Sequence, residues 1–200
     1  GSPKIAYELI RPYIADVPTS GDLDVTTLGP LIADIMPEES IVSDESATSS
    51  LIVTPHALQA KPHDWLALTG GSIGQGLPLA IGASIAKPDR PVITLHGDGG
   101  AMYTVQALWT QAREKLNITN IIFSNRSYEI LKIELDRVQA VETGERAASM
   151  FSMDNPPIDW VNLAESMGVQ GYKPKTVKEF KDVFSKSVNE SGPSLIEIEI

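Results

Sequence analysis

Apolar residues recur along this chain in two alternating rhythms: short unbroken runs, and longer stretches spaced three and four apart. Unbroken runs bounded by turn residues fit strands covered on both faces, and the spaced stretches fit helices with one apolar side. The clearest run is Pro91–Leu95 (PVITL). Ser40–Ser43, Trp65–Leu68, Asn120–Ser124, Val169–Tyr172 and Leu195–Ile200 are predicted as further strands. Between them, Thr26 or Thr27 can cap a helix through Leu31, Ile32, Ile35 and Met36 that Pro37 stops. A helix-like segment at 51–58 is broken by Pro55, and the Gly-rich run at 70–76 opens a helix through Leu79, Ile81 and Ile85. Helices are also predicted over 105–116, beyond Tyr128 through Ile130, Leu131, Ile133 and Leu135, from an Asp159 cap to Met167, and from a Thr176 cap to Val188. Residues 4–16 carry helical spacing at Ile5, Leu9 and Ile10, with a kink or split expected at Pro12. Residues 142–157 read as loop.

Strands separated by helices predict an α/β fold: a doubly wound, mainly parallel sheet with helices on both faces. Such sheets bind ligands outside the carboxyl ends of their strands. The expected division is an N-terminal helix and linker over residues 1–23, the linker marked by Pro18–Asp22, and one domain over residues 24–200. Gly1-Ser2 reads as a cloning scar, so the chain is expected to be a piece of something longer.

Composition narrows the partners. Among 200 residues, 26 Asp and Glu outweigh 16 Lys and Arg, for a net charge of −10. An acidic chain has no general attraction to phosphate backbones or anionic lipid, so neither nucleic acid nor a membrane surface is expected as a partner. No apolar run approaches the ~18–20 residues of a membrane helix. The absence of cysteine excludes disulfides and thiolate chemistry, and fits a reducing cytoplasm.

The chemistry is sparse elsewhere and concentrated in one place. His56 and His63 lie in a Pro-punctuated polar stretch without metal-ligand spacing, as ordinary loop histidines or else facing a substrate. No G-x-S-x-G elbow is present. Gly70–Gly76 has neither dinucleotide-loop spacing nor a following Gly-Lys-Ser/Thr, and a tight strand-to-helix turn accounts for it equally well. The informative constellation is Gly97-Asp98-Gly99-Gly100 after one strand and Asn125-Arg126-Ser127-Tyr128 after the next. Consecutive parallel strands tend to be neighbours, which would bring a carboxylate and an amide oxygen to one point. Both are hard donors suited to Mg²⁺, and the glycines let backbone amides approach an anion, with a diphosphate the best fit. The alternative is a Gly-Asp-Gly turn and an unrelated asparagine.

Gly97-Asp98-Gly99, 25 residues, then Asn125 resembles the cofactor motif of thiamine-diphosphate-dependent enzymes. The surrounding TGGSIGQGLPLAIGASIA and PDRPVITLHGDGGAMYTVQALWTQAREKLNITNIIFSNRSYEIL are similar to the C-terminal diphosphate-binding domain of acetolactate synthases and benzoylformate decarboxylase. SIVSDESATSS, DWVNLAESMGVQ and GPSLIEIEI extend the resemblance over Asp24 to Ile200. It implies that Asp98 and Asn125 bind Mg²⁺ through side chains and Ser127 through its carbonyl, while Gly97, Gly99, Gly100 and Tyr128 surround the diphosphate. It also implies that Ile73 props thiamine diphosphate in a bent shape, that the Gly71 carbonyl accepts a hydrogen bond from its aminopyrimidine, and that Thr48 touches the cofactor. Three positions depart from the usual pattern: Ser124 precedes the ligand Asn125, Arg126 follows it and is expected to add a cation at the diphosphate rim, and Ala47 replaces a hydroxyl.

The family's activating glutamate lies on a pyrimidine-binding domain, so no catalytic residue is expected here and the chain alone should not turn over. The implied partners are a 2-oxo acid, that pyrimidine-binding domain, and further copies in a dimer or tetramer joined through an apolar face. The implied reaction is acetolactate-synthase-like: decarboxylation of pyruvate and transfer of its two-carbon unit. The alternatives are a simple 2-oxo acid decarboxylase of the benzoylformate type and a non-catalytic binding module.

Overall fold

A computed structural model describes residues 16–138 and 144–200. The predicted helix over 4–16 therefore lies outside the described residues, apart from Asp16. The first described helix, α1 (Val25–Ile35), starts one residue before the expected caps. Asp24 is the N-cap, accepting from the Thr26 and Thr27 amides, and the Thr27 hydroxyl oxygen accepts in turn from the Asp24 amide. A carboxylate takes both orphan donors of the first turn, and Thr27 closes the capping box instead of opening the helix. The preceding segment is tied down, since Leu23 donates to the Lys175 carbonyl and Val177 to that of Gly21.

Strand β1 (Ser40–Glu45) follows, then helical turns over Ala47–Ser49, α2 (Ser50–Val53) and Thr54–Gln59. Next come β2 (His63–Ala67), α3 (Gly76–Ala86), β3 (Val92–Gly97), a four-residue α4 (Asp98–Ala101) and α5 (Ala107–Arg113). The chain continues through β4 (Ile118–Ser124), α6 (Glu129–Arg137), α7 (Glu145–Ser149), α8 (Trp160–Ser166), β5 (Gln170–Tyr172), α9 (Val177–Asn189) and β6 (Ser194–Glu199). The expected loop over 142–157 thus contains the short α7, which buries none of its residues and so leaves no amphipathic signal.

All six strands are parallel, in the order β2-β1-β3-β4-β6-β5. Their pleat sends Val42, Ile93, Leu95, Ile121, Phe123, Ile196 and Ile198 into one core with Leu28 and Leu31 of α1 and Phe180 and Phe184 of α9. Ile122 and Leu195 point the other way, against Leu77, Leu108 and Trp160 of α3, α5 and α8. This is the doubly wound arrangement with both faces covered, and it explains why the central strands read as continuous apolar runs. The connection from β1 goes to the edge and that from β2 returns past it, so a switch point opens between the carboxyl ends of β1 and β3.

His56 and His63 both pack against neighbouring residues. Gly29 of α1 lies so near the His56 ring that an added Cβ would meet its Cδ2 at 2.2 Å. His63 Nδ1 sits 2.7 Å from the Lys61 carbonyl oxygen, and its ring meets Trp65 edge-on. Among the described residues no helix is long and apolar enough to cross a membrane.

Candidate cofactor site

A cleft lies at the switch point, built from the segments that leave β1, β3 and β4. It brings together Thr48, Gly97, Asp98, Gly99, Gly100, Asn125, Ser127 and Tyr128, so eight of the ten expected site positions share one surface. Pairing of β3 with β4 places Gly97 beside Phe123, which sets Asp98 and Asn125 just beyond adjacent strand ends. Gly71 and Ile73 are outside this cleft, in the loop after β2. The Gly71 carbonyl accepts from the Ile73 amide at 2.9 Å, and Ile73 is 55% exposed.

Asp98 is held from both sides. Its Oδ1 accepts from the Gly99 amide and its Oδ2 from the Arg126 amide, each at 2.8 Å. Burial pushes its carboxyl above the ordinary range and outweighs those two amides and the Ser124 hydroxyl, which pull it down. No cationic side chain among the described residues forms an ion pair with it. Asn125 Oδ1 accepts from the Ser127 amide at 2.9 Å, which turns the chain back toward the cleft. Gly99 provides close approach: a Cβ there would meet the Tyr128 ring at 2.8 Å. The helix predicted over 105–116 is α5 (Ala107–Arg113), and a separate four-residue α4 (Asp98–Ala101) forms the Gly-Asp-Gly turn itself. A four-residue helix carries little dipole, so any anion at this turn would meet backbone amides rather than a macrodipole.

The Arg126 expectation is corrected. Its backbone has φ of 52°, and its guanidinium pairs with Asp154 Oδ1 at 3.1 Å and with Glu199. It is not a cation at the cleft; it ties the end of β4 to the 150–157 segment. That segment is also held by Tyr128 N to Phe151 O at 2.9 Å and Met153 N to Arg126 O at 2.8 Å.

Sequence reasoning assigned no role to Glu45 or His96. Both are buried beneath the cleft, and Glu45 accepts from the Gly74 and Gly76 amides. No local pattern signalled Glu45, because the groups it serves are backbone amides about thirty residues further along the chain.

Residues 47–198 match the family described as "Thiamine pyrophosphate enzyme, C-terminal TPP binding domain". The chain belongs to this family. It is 43% identical over 180 residues to a Mycobacterium tuberculosis protein provisionally named acetolactate synthase large subunit IlvX, covering 90% of this chain and 35% of that protein. Benzoylformate decarboxylase of Pseudomonas aeruginosa is 27% identical over 178 residues, covering 89% and 32%. The thiamine diphosphate-dependent 4-hydroxybenzoylformate decarboxylase of Rhodococcus jostii RHA1 superposes with a TM-score of 0.78 at 31% identity, covering 93% of this chain and 34% of that one. The chain thus spans about a third of the length of these relatives. As a thiamine-pyrophosphate-binding domain, it has its glycine-lined cleft where the fold places a ligand.

Proposed function

We propose that the cleft binds thiamine diphosphate through Mg²⁺ and serves an enzyme acting on 2-oxo acids in the manner of acetolactate synthase. The observation that carries this is Asp98, a buried carboxylate whose burial outweighs its hydrogen bonds and which has no cationic partner. A divalent cation would supply the missing charge. Among the described residues no three His, Cys, Asp or Glu side chains converge, so a cage of side chains is not available. Mg²⁺ does not need one: it takes one or two carboxylates and completes its shell with water and phosphate oxygens. The Asp98 and Asn125 side chains and the Ser127 carbonyl are the donors assigned here. Gly97, Gly99, Gly100 and Tyr128 are assigned to the diphosphate, Gly71 and Ile73 to the thiamine rings, and Thr48 to the cofactor's edge.

When bound, thiamine diphosphate supplies the electron sink that decarboxylation of a 2-oxo acid requires. This chain's contribution is to bind and orient it. Leu51, Tyr103, Ile130 and Leu131 are exposed apolar side chains in the segments around the carboxyl ends of the strands. Such a rim fits a docked pyrimidine-binding domain, which would supply the activating glutamate, in a dimer or tetramer in the cytoplasm. The likeness to the Rhodococcus decarboxylase supports the second reading, a simple 2-oxo acid decarboxylase. Acetolactate as product from pyruvate, with the complete enzyme, would favour the synthase; free aldehyde alone would favour the decarboxylase.

Calorimetric titration of the chain with thiamine diphosphate, with and without Mg²⁺, tests the site. Mg²⁺-dependent binding that disappears in Asp98→Ala is expected. Binding that ignores Mg²⁺, or that survives in Asp98→Ala, would overturn the assignment.

A further inference from the structure

Two buried ionisable side chains lie beneath the cleft without a role in the assignments above. Glu45 ends β1 and is 4% exposed, while His96 of β3 is fully buried. The two are register partners in the parallel pairing of β1 with β3, so their side chains leave the sheet on the same face. His96 Nε2 stands 3.1 Å from Glu45 Oε2, at ion-pair distance, and Nδ1 lies 3.1 Å from the Gly97 carbonyl oxygen.

The Glu45 carboxylate is committed to the glycine-rich loop. Its Oε1 accepts from the Gly74 amide, and its Oε2 from the Gly76 amide at 2.6 Å. Amide bonds to a buried carboxylate are among the stronger and more directional contacts a loop can have. Gly74 is fixed from its other end as well, because its carbonyl accepts from Thr104 Oγ1 at 2.6 Å. The packing leaves no slack. A Cβ at Gly76 would meet His96 Cδ2 at 2.8 Å, and one at Gly100 would meet Glu45 Oε1 and His96 Cε1 at 3.1 Å. The loop after β2 and the turn after Asp98 therefore press on the same Glu45–His96 contact. Between the end of β2 and these anchors, Ile73 is 55% exposed, so little packing of its own holds it.

We propose that Glu45 and His96 are positioning residues, whose buried pair fixes the Gly70–Gly76 loop relative to the Asp98 turn. The pair thereby sets where Gly71 and Ile73 meet the rings of a cofactor held by its diphosphate. Only this last step rests on the assignment of the cleft to thiamine diphosphate.

Residue-resolved amide hydrogen exchange on the chain tests the anchor in Glu45→Gln and His96→Gln. Glutamine at position 45 keeps the shape but replaces one acceptor oxygen with a donor. Exchange at Gly74 and Gly76 should accelerate about 10- to 100-fold, the scale of a lost charge-assisted hydrogen bond, with the amides of β4 unchanged. His96→Gln should accelerate the same two amides by less. Unchanged rates at Gly74 and Gly76 in both variants would overturn the proposal. Equal acceleration throughout the sheet would too, since it would mark a merely structural pair. If Glu45→Gln does not fold, His96→Gln decides by the same criterion.

The link to the rings is read by calorimetry with Mg²⁺ and either inorganic diphosphate or thiamine diphosphate. Both variants should weaken thiamine diphosphate while leaving inorganic diphosphate within about twofold, because the carboxylate's bonds go to the ring-side loop. Equal weakening of the two probes would refute that link. A wild-type chain that binds neither probe would refute the cofactor assignment, with the exchange result still deciding the anchor.

Discussion

Replacing Lys173 with methionine should destabilise the fold in a pH-dependent way, because it strands the carboxylate of Glu197. Glu197 ends buried in β6, 1% exposed, and neither of its oxygens has a hydrogen-bond partner. Lys173 Nζ stands 3.2 Å from Glu197 Oε1 and 2.9 Å from Glu199 Oε1. Burial pushes the Glu197 carboxyl above the ordinary range, and Lys173 pulls it only part of the way back. An acid raised in this way favours the folded state at low pH, and that contribution is lost as pH rises through its folded value. Removing the ammonium raises it further, so the loss continues to higher pH. The folded variant can escape an unpaired charge by keeping Glu197 protonated. That escape costs about 1.4 kcal/mol for each pH unit above the ordinary value of 4.5, or about 3.4 kcal/mol at pH 7. The wild type already bears part of this cost, and the Lys173 side chain is 34% exposed, so solvent screens some of the attraction. The expected loss is therefore about 2 kcal/mol at pH 7 and at most about 1.4 kcal/mol at pH 5.5. Urea unfolding at pH 5.5, 7 and 8 measures it, with Lys173→Met in a Glu197→Gln background as the control. A loss independent of pH, or a slope that survives Glu197→Gln, would refute the reasoning.

Three further outcomes follow from packing. Asn120→Ala should cost about 2–4 kcal/mol in chemical denaturation, because it unpairs Thr94, Gln111 and the Ser194 carbonyl, all bonded to that amide within 3.2 Å; a loss below about 1 kcal/mol would contradict it. Gly29→Ala should lower stability by about 1–3 kcal/mol through its collision with the His56 ring, and His56→Ala should recover most of that in thermal unfolding. Ile73→Ala should leave unfolding within about 0.5 kcal/mol, since the side chain is mostly in solvent, while weakening thiamine diphosphate in calorimetry; unchanged affinity would remove Ile73 from the site.

The sequence was most legible where burial is simplest. The runs at 92–95 and 120–124 became the central strands β3 and β4, because a strand covered on both faces has no polar alternation to confuse it. Polar residues hid the strand ends. β1 continues through Asp44 and Glu45, both buried, and β2 starts at His63, two residues ahead of the apolar run. Asp44 is spent on the Ser46 amide and hydroxyl and on the Trp65 indole, and Glu45 on the glycine loop. Charged residues there mark contacts made across the fold, which no local pattern records. The meeting of Asp98 and Asn125 at one cleft was legible because each directly follows an apolar strand run, Asp98 with glycines on both sides. The Glu45–His96 pairing was not, because the groups it serves are backbone amides, and these carry no signature in sequence. The partners of Arg126 lie 28 and 73 residues further along the chain, and position alone said nothing about them.

Three buried carboxylates depart from ordinary ionisation, and comparing them separates what holds the fold together from what awaits a ligand. Burial acts to raise all three. At Glu45 the adjacent His96 imidazole and the Gly74 and Gly76 amides outweigh it, and the carboxyl sits below the ordinary range. At Glu197 burial prevails, but Lys173 is a resident counter-charge. At Asp98 burial prevails too, and only uncharged donors answer it. A position shaped for stability alone would gain nothing from a buried charge left in that state. On the proposed reading a cation from outside would make that charge useful, and the same turn has glycines where a phosphate could approach the backbone. The exposed apolar rim, with Leu51 at 77% and Tyr103 at 62%, has the same logic: surface that costs stability in isolation is repaid when an opposing domain covers it.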